Sequence, residues 1–299
     1  IAAYSNSLHG PFIFDDPLSI AKNPTIRSLG RLGDVLLPSP QLHLYRPTLN
    51  LSLAVCYAVG GLDVVAYHVL NLAIHILAAL VLFGVTRRTL LLPALAARFG
   101  AASAGLGLAV SLLWMLHPLQ TESVTYVVQR CEALMGLFCL LTVYCVLRGA
   151  SSARAWLWHL AAVAACGLGM GAKESMAMTP FLVLLYDRVF LASSLREVFR
   201  KRWGLYLGMA LTGVILVSMI EASLTRGFGT VGKVPTVGEY ARTQFGVVVH
   251  YLRLSFWPAP LCLDYGWPVA NSAWDIIPPA LAVGILFLTT CAAFWRWPK

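Results

Sequence analysis

Two adjacent carboxylates, Asp15 and Asp16, close the aromatic run YSNSLHGPFIFDDP (residues 4–17) in a chain that is otherwise mostly apolar. The pair supports two readings. Asp16 followed by Pro17 has the form of a helix N-cap with proline at the first helical position, where a carboxylate accepts from orphan backbone N–H groups. Alternatively, the pair supplies a catalytic carboxylate held at the membrane face. Further ionisable groups recur in short polar stretches. His117, Glu122 and Arg130 lie in HPLQTESVTYVVQR, and Lys173 and Glu174 in GAKES. Arg242, Tyr251 and Arg253 interrupt the block 240–257, and Asp264 and Tyr265 follow in LDYGWP. Each has a plainer alternative. Glu122 suits the first turn of a helix, where the dipole favours an acid. Lys173 and Glu174 work as a solvated pair worth under ~1 kcal/mol. His68, Asn71 and His75 form one helical stripe, which reads more readily as interhelical hydrogen bonding than as metal ligation.

The elements that must position these groups are apolar helices. Hydrophobic residues make up 59% of the chain and charged residues 12%, against about 25% charged in soluble domains. A membrane helix takes about 20 mostly apolar residues, which places candidate spans near 64–86, 103–118, 131–148, 155–171, 176–192, 203–221 and 278–295. The expected fold is all-α: a polytopic helical membrane bundle with about seven spans and one interfacial or re-entrant helix at 240–257. Residues 1–63 form a first loop carrying the Asp-Asp motif and an interfacial helix, and 64–299 the membrane bundle. The chain runs from Ile1 to Lys299, just past an apolar block, and reads as a fragment truncated at both ends. Trp114, Tyr126, Trp156, Trp158, Trp257 and Trp267 near span ends read as interface anchors. The seven cysteines lack C-x-x-C spacing and read as small buried apolar residues. A bridge from Cys262 to Cys131 or Cys56 finds no support in that pattern.

Lysine and arginine concentrate in cytoplasmic loops. Arg87, Arg88, Arg98, Arg148, Arg154, the run from Arg188 to Arg202, Arg296 and Lys299 fall on one side, with only Asp187 and Glu197 as acids there. The net charge of +9 is therefore mostly a topology signal, and nucleic acid is excluded as a partner. The link LASSLREVFRKRW reads as a short basic helix on the inner leaflet, where each cation gains about 1 kcal/mol from anionic lipid. All the chemically capable groups named above fall on the opposite, outer side. Ionisable groups gathered beside hydrocarbon default to a functional-site hypothesis.

Six stretches in order carry a resemblance: YSNSLHGPFIFDDPLSIAKNPTI, YRPTLNLSL, GGLDVVAYHVLNLAIHIL, LLWMLHPLQTESVTYVVQRCEALMGLF, KESMAMTPFLVLLYD and RLSFWPAPLCLDYGWP. The chain resembles the GT-C superfamily of polytopic glycosyltransferases, and within it the transmembrane and tetratricopeptide-repeat O-mannosyltransferases and their bacterial relatives. The family's repeats and later spans are absent here, and QRCEALMG carries Cys131 and Glu132 where relatives often have a small residue and Asp. The resemblance implies an inverting transfer of a sugar, such as mannose, from a polyprenyl- or dolichyl-phosphate donor to a Ser or Thr hydroxyl of a secreted or membrane protein. It implies a multi-pass protein of a bacterial inner membrane or an ER-type membrane, with its site on the extracytoplasmic or luminal face. It places Asp15 as the base, with Asp16 orienting it or binding a divalent ion. A departing lipid phosphate calls for cations at the membrane rim, for which Arg46, Arg130, Lys173, Arg242 and Arg253 are available. His117, Glu122, Glu174, Asp264 and Tyr265 then serve as acceptor or supporting groups. Should a metal take part, Asp16 and Glu122 are its oxygen ligands, suited to Mg²⁺ or Mn²⁺. The competing readings are a transporter using His68, Asn71, His75 and Asp187, and a non-catalytic membrane scaffold.

Overall fold

The computed structural model describes residues 2–39, 45–226 and 235–296, and the described residues contain helices and turns but no strand. They fall into two compact units, Ile1–Gly227 and Phe228–Lys299.

The first unit begins with a 3₁₀ turn (Ala2–Ser7), a π turn (Pro17–Ala21) and a second 3₁₀ turn (Pro24–Ile26), followed by the short helix α1 (Leu32–Leu36). Helix α2 (Pro47–Gly60) starts on Pro47 and stops at Gly61, whose φ of 60° only glycine takes without strain. Asp63 then caps α3 (Val64–Leu90) by accepting from Val65 N, and Arg87 and Arg88 complement the dipole in its last turn. Helices α4 (Pro93–Phe99) and α5 (Ser103–Met115) meet at a bend of 93°. The short α6 (Thr121–Thr125) leads into α7 (Arg130–Ala150), α8 (Ala155–Met170) and α9 (Thr179–Tyr186). Helix α10 (Leu195–Leu211) is kinked at Arg202 and runs into α11 (Gly213–Arg226).

The core is built around α7, which packs against α3 on one side and α8 on the other. Leu134 and Leu137 meet Ile74 and Ala78, while Val143 and Val146 meet Ala162 and Cys166. Small residues at these seams let helices approach closely, which is what drives association where lipid removes the hydrophobic incentive. The polar stripe of α3 is spent on packing, as expected. Asn71 Nδ2 donates to Val124 O (3.1 Å), and the Nε2 atoms of His68 and His75 bond Gly10 O (3.0 Å) and Met115 O (2.8 Å).

Fewer helices qualify as spans than the expected seven. Among the described residues four helical stretches are long and apolar enough to cross a membrane, or five if the bent α4–α5 pair is one span. Helix α8, with 16 residues, is shorter. The stretch expected at 176–192 changes pitch along its length: a 3₁₀ turn at Glu174–Met178, then α9, then a π turn at Asp187–Leu191. Proline in the first turn of α9 marks one change. At the other, Asp187 is drawn inward by Arg202 (2.7 Å) and the Tyr206 hydroxyl (2.9 Å). All seven cysteines are free thiols.

The second unit contains α12 (Val237–Phe256), opened by a capping box of Thr236 and Glu239, and α13 (Ala273–Arg296), which packs against it. Helix α12 is not among those apolar enough to span.

Candidate active site

The turn that carries the paired aspartates is strained. Phe14 sits at φ 46°, a region costly for a residue with a Cβ. Side contacts on both flanks hold it. Phe12 packs edge-on to Tyr67 (5.4 Å between centroids), and Phe14 lies 6.1 Å from the Tyr126 ring. Beyond the strained residue the two acids part company. Asp16 is fully buried, and Asp15 is exposed. Asp16 is not the side-chain cap that Pro17 suggested. Its Oδ2 accepts from Ile13 N (3.0 Å) and its Oδ1 from Val128 N (2.9 Å), so it clamps the first loop to the stretch before α7. Burial raises its pKa above the ordinary carboxylate value, outweighing the two N–H donors that pull it down. Asp15 is held through its backbone, whose N–H donates to the Tyr126 hydroxyl (3.0 Å). Burial pushes that phenol up to about 12, so it stays protonated at neutral pH.

The stretch from Tyr126 to Glu132 collects the other groups one by one. Gln129 Nε2 donates to Glu122 Oε1 (3.1 Å), and Glu122 does sit in the first turn of α6. Arg130 is fully buried. Its guanidinium donates to Asn71 Oδ1, Ser52 O (3.1 Å) and Tyr67 O (2.9 Å), and to Cys56 Sγ (3.4 Å). A cation enclosed in this way cements α2, α3 and α7 together and offers no open donor to a ligand. Cys131 Sγ accepts from Arg46 Nη1 (3.1 Å), and Glu132 pairs with Lys173 Nζ. Arg46 in turn pairs with Glu174 (3.1 Å). Lys173 and Glu174 are therefore not the mutual pair their adjacency suggested.

A close backbone approach brings Arg46 to that link. Thr48 N donates to Gly171 O (3.0 Å) and Thr48 Oγ1 to Leu168 O (2.7 Å). A Cβ on Gly171 would lie 2.5 Å from Thr48 Oγ1, so glycine is required here for packing. The resulting cluster is half-open. The side chains of Arg46 and Lys173 are 14% and 24% exposed, and the Arg46 Nε is buried without a hydrogen-bond partner among the described residues.

Of the other expected site residues, His117 caps a local 3₁₀ turn, its Nδ1 accepting from Leu119 N (3.2 Å). Arg242, Arg253, Asp264 and Tyr265 belong to the second unit. There Arg242 donates to Asn271 Oδ1 (2.7 Å), Arg253 reaches Ala259 O (3.5 Å), Asp264 accepts from Gly266 N (2.9 Å) and Tyr265 donates to Pro260 O (3.1 Å). The suggested metal pair is not assembled. Both Asp16 oxygens are taken by backbone N–H groups, and among the described residues no three His, Cys, Asp or Glu groups gather as a cation site. Four residues of the cluster were not anticipated as site residues. Tyr126 was read as an interface anchor, Gln129 carried no signal, and Cys131 and Glu132 stood out only as departures from their relatives.

Comparison with known proteins gives this arrangement a family. The description "Dolichyl-phosphate-mannose-protein mannosyltransferase" matches residues 47–220. The chain is 28% identical over 242 residues to the mouse protein O-mannosyl-transferase TMTC2, covering 71% of this chain and 26% of the relative. It is 24% identical over 321 residues to the Caenorhabditis elegans protein O-mannosyl-transferase F38B6.6, covering 98% and 43%. With the Drosophila melanogaster protein O-mannosyl-transferase Tmtc1 it shares 32% over 162 residues, covering 51% and 18%. The chain thus spans between about a fifth and under half of the length of these curated relatives. No solved structure matches it. With more than half its length matched, the chain belongs to the dolichyl-phosphate-mannose-protein mannosyltransferase family.

Proposed function

We propose that this chain forms the catalytic membrane part of a protein O-mannosyltransferase, acting at the extracytoplasmic face on a lipid-phosphate-linked mannose and a Ser or Thr hydroxyl. The observation that carries the reading is the convergence of three distant polar segments on the stretch from Tyr126 to Glu132: Asp15 through its backbone N–H on Tyr126, Arg46 on Cys131 and Lys173 on Glu132, with Glu174 joined through Arg46 and the neighbouring Glu122 bonded to Gln129.

Asp15 is the exposed acid of the pair, and it acts as general base. It takes the hydroxyl proton as the acceptor oxygen bonds to the sugar's anomeric carbon and the bond from that carbon to the phosphate oxygen breaks. Attack opposite the departing phosphate inverts the anomeric centre. Negative charge grows on the lipid phosphate, which Arg46 and Lys173 stabilise by charge-assisted hydrogen bonds. The unpartnered Arg46 Nε is a donor already desolvated for that role. Glu174 and Glu132 hold these two cations in place. Asp16 and Arg130 position the loop and helices without touching substrate. The transporter reading draws no support: on α3, Asn71 and His75 bond neighbouring helices and His68 bonds the first loop, while Asp187 is held by Arg202 and Tyr206.

The test is mass spectrometry of a secreted acceptor protein co-expressed with the chain. Wild type should add hexose to Ser or Thr, and Asp15→Asn should lower the rate at least ~10²-fold. Equal modification by both proteins would remove Asp15 from the reaction.

A further inference from the structure

The second unit holds a cavity that the catalytic reading does not use. Tyr240, Gln244, Val247 and Tyr251 follow one another at helical spacing along one face of α12, and Trp267 and Val269 stand opposite. Between them lies a space of about 380 Å³, at the small end of the ~300–1,000 Å³ typical of small-molecule sites. It has room for a compact ring rather than a long chain.

Its lining mixes two kinds of group. Tyr240, Tyr251 and Trp267 supply aromatic faces, apolar in body and polar at the tip. Gln244 supplies an amide that both donates and accepts. Neither that amide nor the Tyr240 hydroxyl bonds another described residue. Among the described residues no charged side chain lines the cavity, which argues against phosphate or an ionic peptide. A purely apolar occupant such as an acyl chain would desolvate the Gln244 amide with nothing in return, a penalty of about 1–3 kcal/mol.

The walls are held from behind. His250 packs on Tyr265 (4.9 Å) and on Trp267 (5.0 Å), and Tyr265 stacks on Trp267 (5.8 Å). Thr243 Oγ1 accepts from Ala270 N (3.0 Å), tying the segment beyond Trp267 back to α12. A wall fixed before the ligand arrives loses little freedom on binding.

We infer that this cavity binds a neutral pyranose ring, with a C–H face on the Trp267 or Tyr240 plane and hydroxyls on the Gln244 amide. The sugar of a lipid-linked donor and a sugar already on an acceptor share this chemistry. The inference is independent of the role given to Asp15, and its test keeps the two apart.

The full chain in lipid nanodiscs is titrated with methyl α-mannopyranoside and followed by saturation-transfer NMR. Ring protons should receive saturation from wild type and equally from Asp15→Asn. Gln244→Ala should weaken binding about fivefold or more, and Trp267→Ala about tenfold. Circular dichroism confirms that each variant keeps its helices, and Gln244→Ala alters only one side chain on a helix surface. Two further arms use mannosyl phosphate and a mannosylated serine peptide. Tighter binding of the first assigns the donor sugar, and of the second the modified acceptor. Absence of transfer, transfer unchanged in both cavity variants, or displacement of the sugar by decanol overturns the inference.

Discussion

Asp15 and Asp16 are chemically the same residue in different surroundings, the first exposed and the second fully buried. Asp16 spends both oxygens on Ile13 N and Val128 N, so it is a joint between two segments. Its pKa is held above the ordinary carboxylate value, chiefly by burial. The folded protein therefore binds that proton more tightly than the unfolded chain does. The stabilisation is fully present below the unfolded value and is lost as pH rises through the raised one. The melting temperature of wild type relative to Asp16→Asn should accordingly decline as pH is raised above the usual carboxylate range. A difference flat in pH would show that burial does not set this group's titration. Tyr126 makes a second residue-scale case. Tyr126→Phe removes the acceptor for Asp15 N, a bond worth about 0.5–1.5 kcal/mol, and should lower kcat up to about tenfold with KM for the acceptor little changed. The acid pair was visible in the sequence because two carboxylates are conspicuous in so apolar a chain. Which of them is buried was not, because the answer depends on an amide more than a hundred residues away.

Among the elements, the decisive contact is where the start of α2 meets the link after α8. Thr48 and Gly171 share a backbone hydrogen bond, and Arg46 and Glu174 are paired as a result. Gly171→Val would force a side chain into Thr48, at a cost of about 1–3 kcal/mol for overpacking. It should raise KM for the lipid-linked donor several-fold while leaving kcat at saturation much closer to wild type. A uniform loss of kcat with unchanged KM would mean that Arg46 does not meet the donor. Helix positions themselves were largely legible, because long apolar stretches and their caps are local signals: Asp63 before α3 and Pro47 opening α2 are examples. The pitch change around α9 was hidden. It depends on Asp187 finding Arg202 and Tyr206, which no hydropathy window sees. The cation count was misleading in a similar way. Arg130 looked like a phosphate ligand by position, and only its enclosure by Ser52, Tyr67 and Asn71 shows it committed to packing.

For the molecule as a whole, the proposal fixes a sidedness that chemistry can read. Cys262 is the exposed thiol among the seven cysteines, in the link between α12 and α13. That link was placed outside because it lacks lysine and arginine. A membrane-impermeant maleimide added to intact cells or sealed right-side-out vesicles should label Cys262, and Cys262→Ser should abolish most of the label. Labelling only after the membrane is opened would reverse the placement of that link.

The buried guanidinium at the head of α7 also bears on how the protein is made. Ser52, Tyr67 and Asn71 all precede Arg130 in the chain, so its receptors are synthesised and enter the membrane before it does. An α7 that fails to find α2 and α3 leaves that guanidinium without the partners that enclose it, and an unpaired cation beside hydrocarbon is costly. Misassembled chains would then be held back at the translocon or exposed to membrane proteases, while correctly docked ones bury the charge. The side chain that joins α2, α3 and α7 would thus favour, during biogenesis, the chains in which those helices have docked.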